Sequence, residues 1–223
     1  QKERIAQIIQ EYDSQGWHRT GTVTDHESAR WLADKVRDLG VDGGLERFEL
    51  SRIDPGLCYL EVDGQRIQGL PMYDGMFTGP EGIHGHLGQL GTSSDIGLTE
   101  VRRGAGVNEA LQVARQSADH KALVAVTMGG RPGLMASNAP EFWAPFGLPV
   151  LQVSSEAQTL LAEAAERHAS VHLVSSATRA DAESFNVVGR LKGRDGNLSP
   201  LVVMTPRSGW WHCAGERGGG LAC

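Results

Sequence analysis

The sequence predicts an α/β protein, and three observations carry that reading. Two amphipathic helical patterns and a strand open the chain, a glycine-rich β texture fills its middle, and long strand-forming runs return near its end. Helices and strands mixed in this order build a layered α/β unit, residues 1–53 and 179–223, interrupted by a β-rich insert at 54–178.

Residues 2–15 place Ile5, Ile8, Ile9 and Tyr12 on one helical face. A polar connector with two glycines follows. Thr24 and Glu27 then stand at capping-box spacing, with Ala29, Leu32, Ala33, Val36 and Leu39 on one face of the helix they open and Gly40 as its stop. Residues 45–50 alternate as a half-buried strand would.

From residue 54 the runs shorten. Residues 57–62 and 65–70 flank Asp63 and Gly64, a strong hairpin signal. Residues 71–106 are glycine-rich with a short strand at 96–101, and 107–118 reads as a helix. Residues 122–127 and 148–153 are apolar enough to be buried strands. Ser155 and Gln158 repeat the capping spacing before a helix carrying Leu160, Leu161, Ala164 and Ala165, and 171–174 is a strand. After Asp181 the longer strands return at 185–191 and, across a turn at 193–199, at 201–205, where four apolar residues in succession predict burial. Residues 218–223 look like the first turn of a helix that continues, so the sequence reads as part of a longer chain.

Composition excludes several classes. The 223 residues are 40% hydrophobic and 22% charged with a net charge of −6, as in ordinary globular proteins. No basic block interleaves with aromatics, which argues against nucleic acid as a partner. No apolar run is long enough to span a membrane. Cys58, Cys213 and Cys223 are too few and too scattered for a disulfide framework or a zinc knuckle.

Four stretches together resemble the zinc aminopeptidase family that includes glutamate carboxypeptidase and the transferrin receptor ectodomain. They are HRTGT at 18–22 with SARWLA at 28–33 and the Leu39–Gly40 stop; FNVVGRLKG at 185–193; FGLPVLQVS at 146–154, which is similar to the end of a protease-associated (PA) insert; and the loop MTPRSGWWHCAGERGGG at 204–220. The resemblance implies the N-terminal part of a three-layer, phosphorylase/hydrolase-like peptidase domain, with 54–178 as a PA-like insert. It also implies zinc and a peptide substrate.

The loop departs from the family pattern. Where the family has a His-x-Asp pair, then a bridging aspartate, this chain aligns Thr205, Arg207 and Glu216, with Arg217 beside it. A two-zinc centre needs imidazoles and carboxylates, because paired dications must be neutralised. Glu216 remains able to hold a metal or to take part in catalysis, because a carboxylate remains a carboxylate. Arg207 opposes one, since a guanidinium stays protonated and a like charge a few ångströms away costs several kcal/mol at an effective dielectric of about 20.

The remaining candidates each carry two readings. Arg207 and Arg217 either form a structural ion pair with Glu216 or line a pocket for a carboxylate or phosphate. Trp210 and Trp211 either floor a binding site or fill the core. His212 beside Cys213 suggests a thiol nucleophile, and Ser208 a hydroxyl one, although neither has an orienting partner in sequence. His84 and His86 are either a surface pair or two metal ligands lacking a third. Asp119, His120 and His168 read as ordinary helix-end polar residues.

Two functions follow as expectations. One is an aminopeptidase-like hydrolase of peptide or amide bonds with an altered metal site. The other is a non-catalytic homologue that binds a peptide or small anionic ligand through Arg207, Arg217, Ser208, Trp210, Trp211 and His212, with self-association open. The three cysteines lean towards the cytoplasm, whereas PA inserts accompany extracytoplasmic enzymes.

Overall fold

The computed structural model describes residues 1–102, 108–129, 131–137, 139 and 141–223. Its helices and strands follow in the order α1 (Lys2–Ser14), α2 (Val23–Asp38), β1 (Asp42–Val62), β2 (Gln65–Pro71), β3 (Ile83–Gln89), β4 (Ile96–Arg102), α3 (Glu109–Gln116), β5 (Ala122–Met128), β6 (Val150–Ser154), α4 (Gln158–Glu166), β7 (Ser170–Arg190) and α5 (Gly219–Ala222). Seven strands join as β1-β2-β6-β5-β4-β3-β7, and the sheet closes into a barrel. It is mixed: β3, β4, β5 and β6 run parallel to their neighbours in that group, while the β1–β2, β2–β6 and β3–β7 pairs are antiparallel. The chain divides into two compact units, Gln1–Arg52 with Ala180–Cys223, and Ile53–Arg179.

In the second unit the local signals act as their chemistry requires. Asp63 (φ 51°) and Gly64 (φ 75°) form the tight β1–β2 turn, which needs both central residues in the left-handed region. On β5, Ala122, Val124 and Val126 face one apolar cluster with Leu161, Ala164 and Ala165 of α4. Leu123 and Ala125 face another with Leu111 and Ala114 of α3. A strand covered on both faces has no polar side to alternate with, hence the unbroken apolar run.

Several helix starts differ from expectation. The hydroxyl of Thr22, not Thr24, accepts from the Asp25 N–H at 3.4 Å, so α2 opens two residues early. Ser154, not Ser155, caps the turn before α4, accepting from the Glu156 N–H at 3.1 Å. The helix expected at 107–118 is α3, capped by the Asn108 side chain accepting from Leu111 N–H at 3.0 Å; Val107 lies outside the described residues.

Two strand readings need correction. Residues 45–50 do lie in β1, but 45–49 are exposed throughout, with Leu45 at 38% and Phe48 at 37%, so no half-buried alternation exists there. Residues 201–205 form no strand, and Leu201, Val202, Val203 and Met204 are 72–91% exposed. An apolar run becomes a buried strand only where neighbouring strands satisfy its backbone and cover its side chains, and among the described residues none pairs with it.

Candidate functional site

The first unit is built around the start of α2. Gly21 adopts φ +75°, and its N–H donates to Asp25 Oδ2 at 2.8 Å. The Thr22 hydroxyl donates to the Arg19 carbonyl at 2.7 Å while its oxygen caps the helix. Asp25 thus sits in the first helical turn, where the free N–H groups favour an anion. It is fully buried, and Ser184 Oγ donates to Oδ2 at 2.5 Å.

Arg207 meets that carboxylate. Its Nη1 lies 2.8 Å from Asp25 Oδ1 and donates to the Asp25 carbonyl at 2.6 Å. Its Nη2 donates to the Phe185 carbonyl at 3.1 Å. Oδ1 lacks a directed hydrogen bond, so charge rather than alignment holds that oxygen to the guanidinium. The ion pair foreseen between Arg207 and Glu216 does not form. Its acid is Asp25, on a helix far upstream, and the Arg207 side chain is only 10% exposed.

The residues after Arg207 are sewn to His18. The Gly209 N–H donates to the His18 carbonyl at 2.9 Å and the His18 N–H to the Trp211 carbonyl at 3.1 Å. His18 Nδ1–H donates to the His212 carbonyl at 2.9 Å. The imidazole is fully buried and stacks on Tyr12, with ring centroids 3.8 Å apart and planes 11° apart. Burial pushes the His18 pKa below the ordinary 6.5; backbone hydrogen bonds from this loop oppose that, and the Arg207 charge adds to it. The Tyr12 hydroxyl donates to the Arg207 carbonyl at 2.5 Å, and burial pushes its pKa up to about 12.

Around this cluster lie the other candidates. Thr20 donates through its hydroxyl to Ser208 Oγ at 3.0 Å. Trp211 packs edge-on against Trp17 at 5.1 Å, and Trp210 and Trp211 are 37% and 38% exposed, which is neither a closed core nor a free surface. His212 leaves the cluster, with Nδ1 2.9 Å from the Asp13 carbonyl and 3.2 Å from its carboxylate.

The chain then turns. Cys213 adopts φ 55°, and its carbonyl accepts from the N–H groups of Glu216 and Arg217 at 3.0 and 2.8 Å, starting a wide π-type turn (Ala214–Gly218) that leads into α5. A side chain at Gly218 would press on Ile9 of α1, and one at Gly220 on the Thr205 hydroxyl, so these glycines serve close packing. Glu216 is exposed and pairs with Arg217 at 3.1 Å, whose Nε is buried without a hydrogen-bond partner.

The structure therefore gathers Arg207, Ser208 and Trp211 around a buried Asp25–His18–Tyr12 group and leaves Glu216 and His212 outward. Sequence patterns alone do not single out Asp25, His18 and Tyr12 as site residues. Their one sequence signal was position: Asp25 lies inside the supposed Thr24–Glu27 box and His18 opens the HRTGT stretch. Among the described residues no three His, Cys, Asp or Glu side chains come together in a way that could hold a metal ion.

This mixed α/β fold resembles that of solved aminopeptidase structures. A zinc aminopeptidase from Bacillus subtilis, BSAP, matches with a TM-score of 0.71 at 20% identity, covering 99% of this chain and 55% of its own. An aminopeptidase from Aneurinibacillus sp. strain AM-1 matches at 0.61 and 14% identity, covering 100% and 57%. A peptidase M28 precursor from Shewanella amazonensis SB2B matches at 0.57 and 13%, covering 82% and 52%. The chain thus spans just over half the length of each of these structures. No family model and no curated protein matches the sequence. No helix among the described residues is long and apolar enough to cross a membrane.

Proposed function

We propose that this chain contributes the N-terminal portion, 1–53 and 179–223, of a peptidase-like α/β hydrolase, with 54–178 as a PA-like insert, and that its metal site is altered. The likeness to three aminopeptidase and peptidase structures supports the hydrolase class. The observation that carries the altered site is the Arg207–Asp25 pair. The position that the family resemblance assigns to an acidic supporting residue holds a guanidinium, and that guanidinium is spent on a buried carboxylate 2.8 Å away.

The donor set present does not fit a two-zinc centre. Thr205 offers a hydroxyl packed against Gly220, Arg207 offers no lone pair, and Glu216 is tied to Arg217. No step is therefore assigned to zinc. In this reading Glu216 is the acid–base group, because it is the only carboxylate of the loop and is open to solvent. Arg217 holds it, while Ser208, Trp210, Trp211 and His212 shape a surface for a peptide or small anionic ligand. Arg207 acts on that surface indirectly, by fixing the loop.

A second reading, a non-catalytic binding homologue, rests on the same pair, since a neutralised and buried arginine keeps the loop's shape without supplying chemistry. Metal analysis of protein purified without chelator, with hydrolysis of aminoacyl anilides followed with and without chelator, separates the two. Chelator-insensitive hydrolysis lost in Glu216→Gln is the outcome expected of an altered-site hydrolase. Near-stoichiometric zinc that disappears in Glu216→Ala would overturn the altered site, and no hydrolysis with or without zinc selects the binding homologue.

A further inference from the structure

The structure divides the two histidines of the His84-Gly85-His86 stretch. His86 goes to Asp95: its N–H donates to Oδ2 at 3.1 Å, and Nδ1 lies 3.5 Å from the same oxygen. His84 instead finds a partner from another strand. It stands directly opposite His172 in the antiparallel β3–β7 ladder. The two imidazoles stack with centroids 4.0 Å apart and planes 6° apart.

His172 is fixed in a way that suits a ligand. Its Nε2–H donates to the Glu81 carbonyl at 2.7 Å, which leaves the lone pair on Nδ1. Metal-ligating histidines commonly donate their other ring N–H to a carbonyl or carboxylate in this way, which sets both tautomer and ring direction. Tyr59 meets the His172 ring edge-on at 5.7 Å, and Arg66 covers Tyr59 at 4.4 Å, so the ring is braced. His84 is exposed, and its ring nitrogens make no hydrogen bond to the described residues.

We infer that His84 and His172 form a two-imidazole chelate for a divalent transition-metal ion of the copper, nickel or zinc type. Directly opposed residues on antiparallel strands keep their Cβ atoms about 4.5–5.5 Å apart. Rotation of the exposed His84 ring then brings two nitrogen lone pairs to one ion. Imidazoles select these borderline ions, whereas calcium and magnesium require oxygen donors that the pair lacks. Water completes the coordination, because no third His, Cys, Asp or Glu is in place among the described residues. Copper(II) binds most tightly of the series.

The test is titration of the protein, free of any polyhistidine tag, with copper(II), followed by calorimetry and electron paramagnetic resonance. The expected result is a site with nitrogen hyperfine structure that weakens by at least about tenfold in His84→Ala and in His172→Ala. His86→Ala should leave it unchanged within about twofold, since His86 faces Asp95. Affinity unchanged in His84→Ala, or lost with His86→Ala alone, overturns the assignment. His84 is exposed, so His84→Ala reads the site without disturbing the fold.

Discussion

The guanidinium of Arg207 lies 2.8 Å from the carboxylate of Asp25, which is wholly buried in the first turn of α2. The contact joins the start of a helix to the loop that the resemblance marks as functional, and the loop's neighbours follow from it. Ser184, Gly21 and Phe185 supply the hydrogen bonds that a buried pair needs.

Removing one partner should therefore cost more than removing both. Asp25→Ala leaves a mostly buried cation unpaired and is expected to lower unfolding stability by about 3–5 kcal/mol. The double variant with Arg207→Met should recover a large part of that loss. Urea unfolding of the two single variants and the double variant reads the coupling; simple additivity would contradict it.

The same loop is closely packed at Gly209. A methyl group there would sit 2.5 Å from Cys213 Sγ. Gly209→Ala is expected to destabilise by about 1–3 kcal/mol. Cys213→Gly removes the sulfur and suits the left-handed backbone at φ 55°. The pair of substitutions should restore the midpoint of thermal unfolding towards the parent.

Buried His18 makes stability depend on pH. Its folded pKa lies below 6.5, chiefly because burial disfavours the imidazolium. Between 6.5 and the lower folded value the unfolded chain holds the extra proton, so unfolding is favoured as pH falls through that window and the effect levels off below it. Chemical unfolding measured at several pH values should show a flatter slope for His18→Gln than for the parent; equal slopes would remove His18 as the cause.

The Cys58 thiol should resist modification in the folded protein. Cys58 is buried, its Sγ donates to the Ser176 carbonyl at 3.3 Å, and burial pushes its pKa up to about 11. Cys223 is exposed. With iodoacetamide at neutral pH, peptide mass mapping should find Cys58 modified only when denaturant opens the barrel.

Parts of this fold were legible because their causes are short-range. The hairpin at Asp63–Gly64 needs only two residues that accept positive φ. The spacing of Ile5, Ile8, Ile9 and Tyr12 states a helix face, and the unbroken 122–127 run states a strand covered twice. Cap positions were less secure: Thr22 and Thr24 are both able to cap, and the Asp25 bond to Gly21 fixed the choice at Thr22. At 201–204 the four apolar residues are exposed, because no strand among the described residues pairs with them.

What the sequence determined by itself, then, was the mixed α/β character, most helices and strands, and the segments in which the candidate chemistry lies. Tertiary structure alone decided which side chains meet. Arg207 turned to Asp25 rather than Glu216, and His84 to His172 rather than His86. Helical and turn hydrogen bonds close over a few residues and leave a local pattern. An ion pair or a cross-strand ring contact depends on backbone paths far apart in the chain, and only packing sets those.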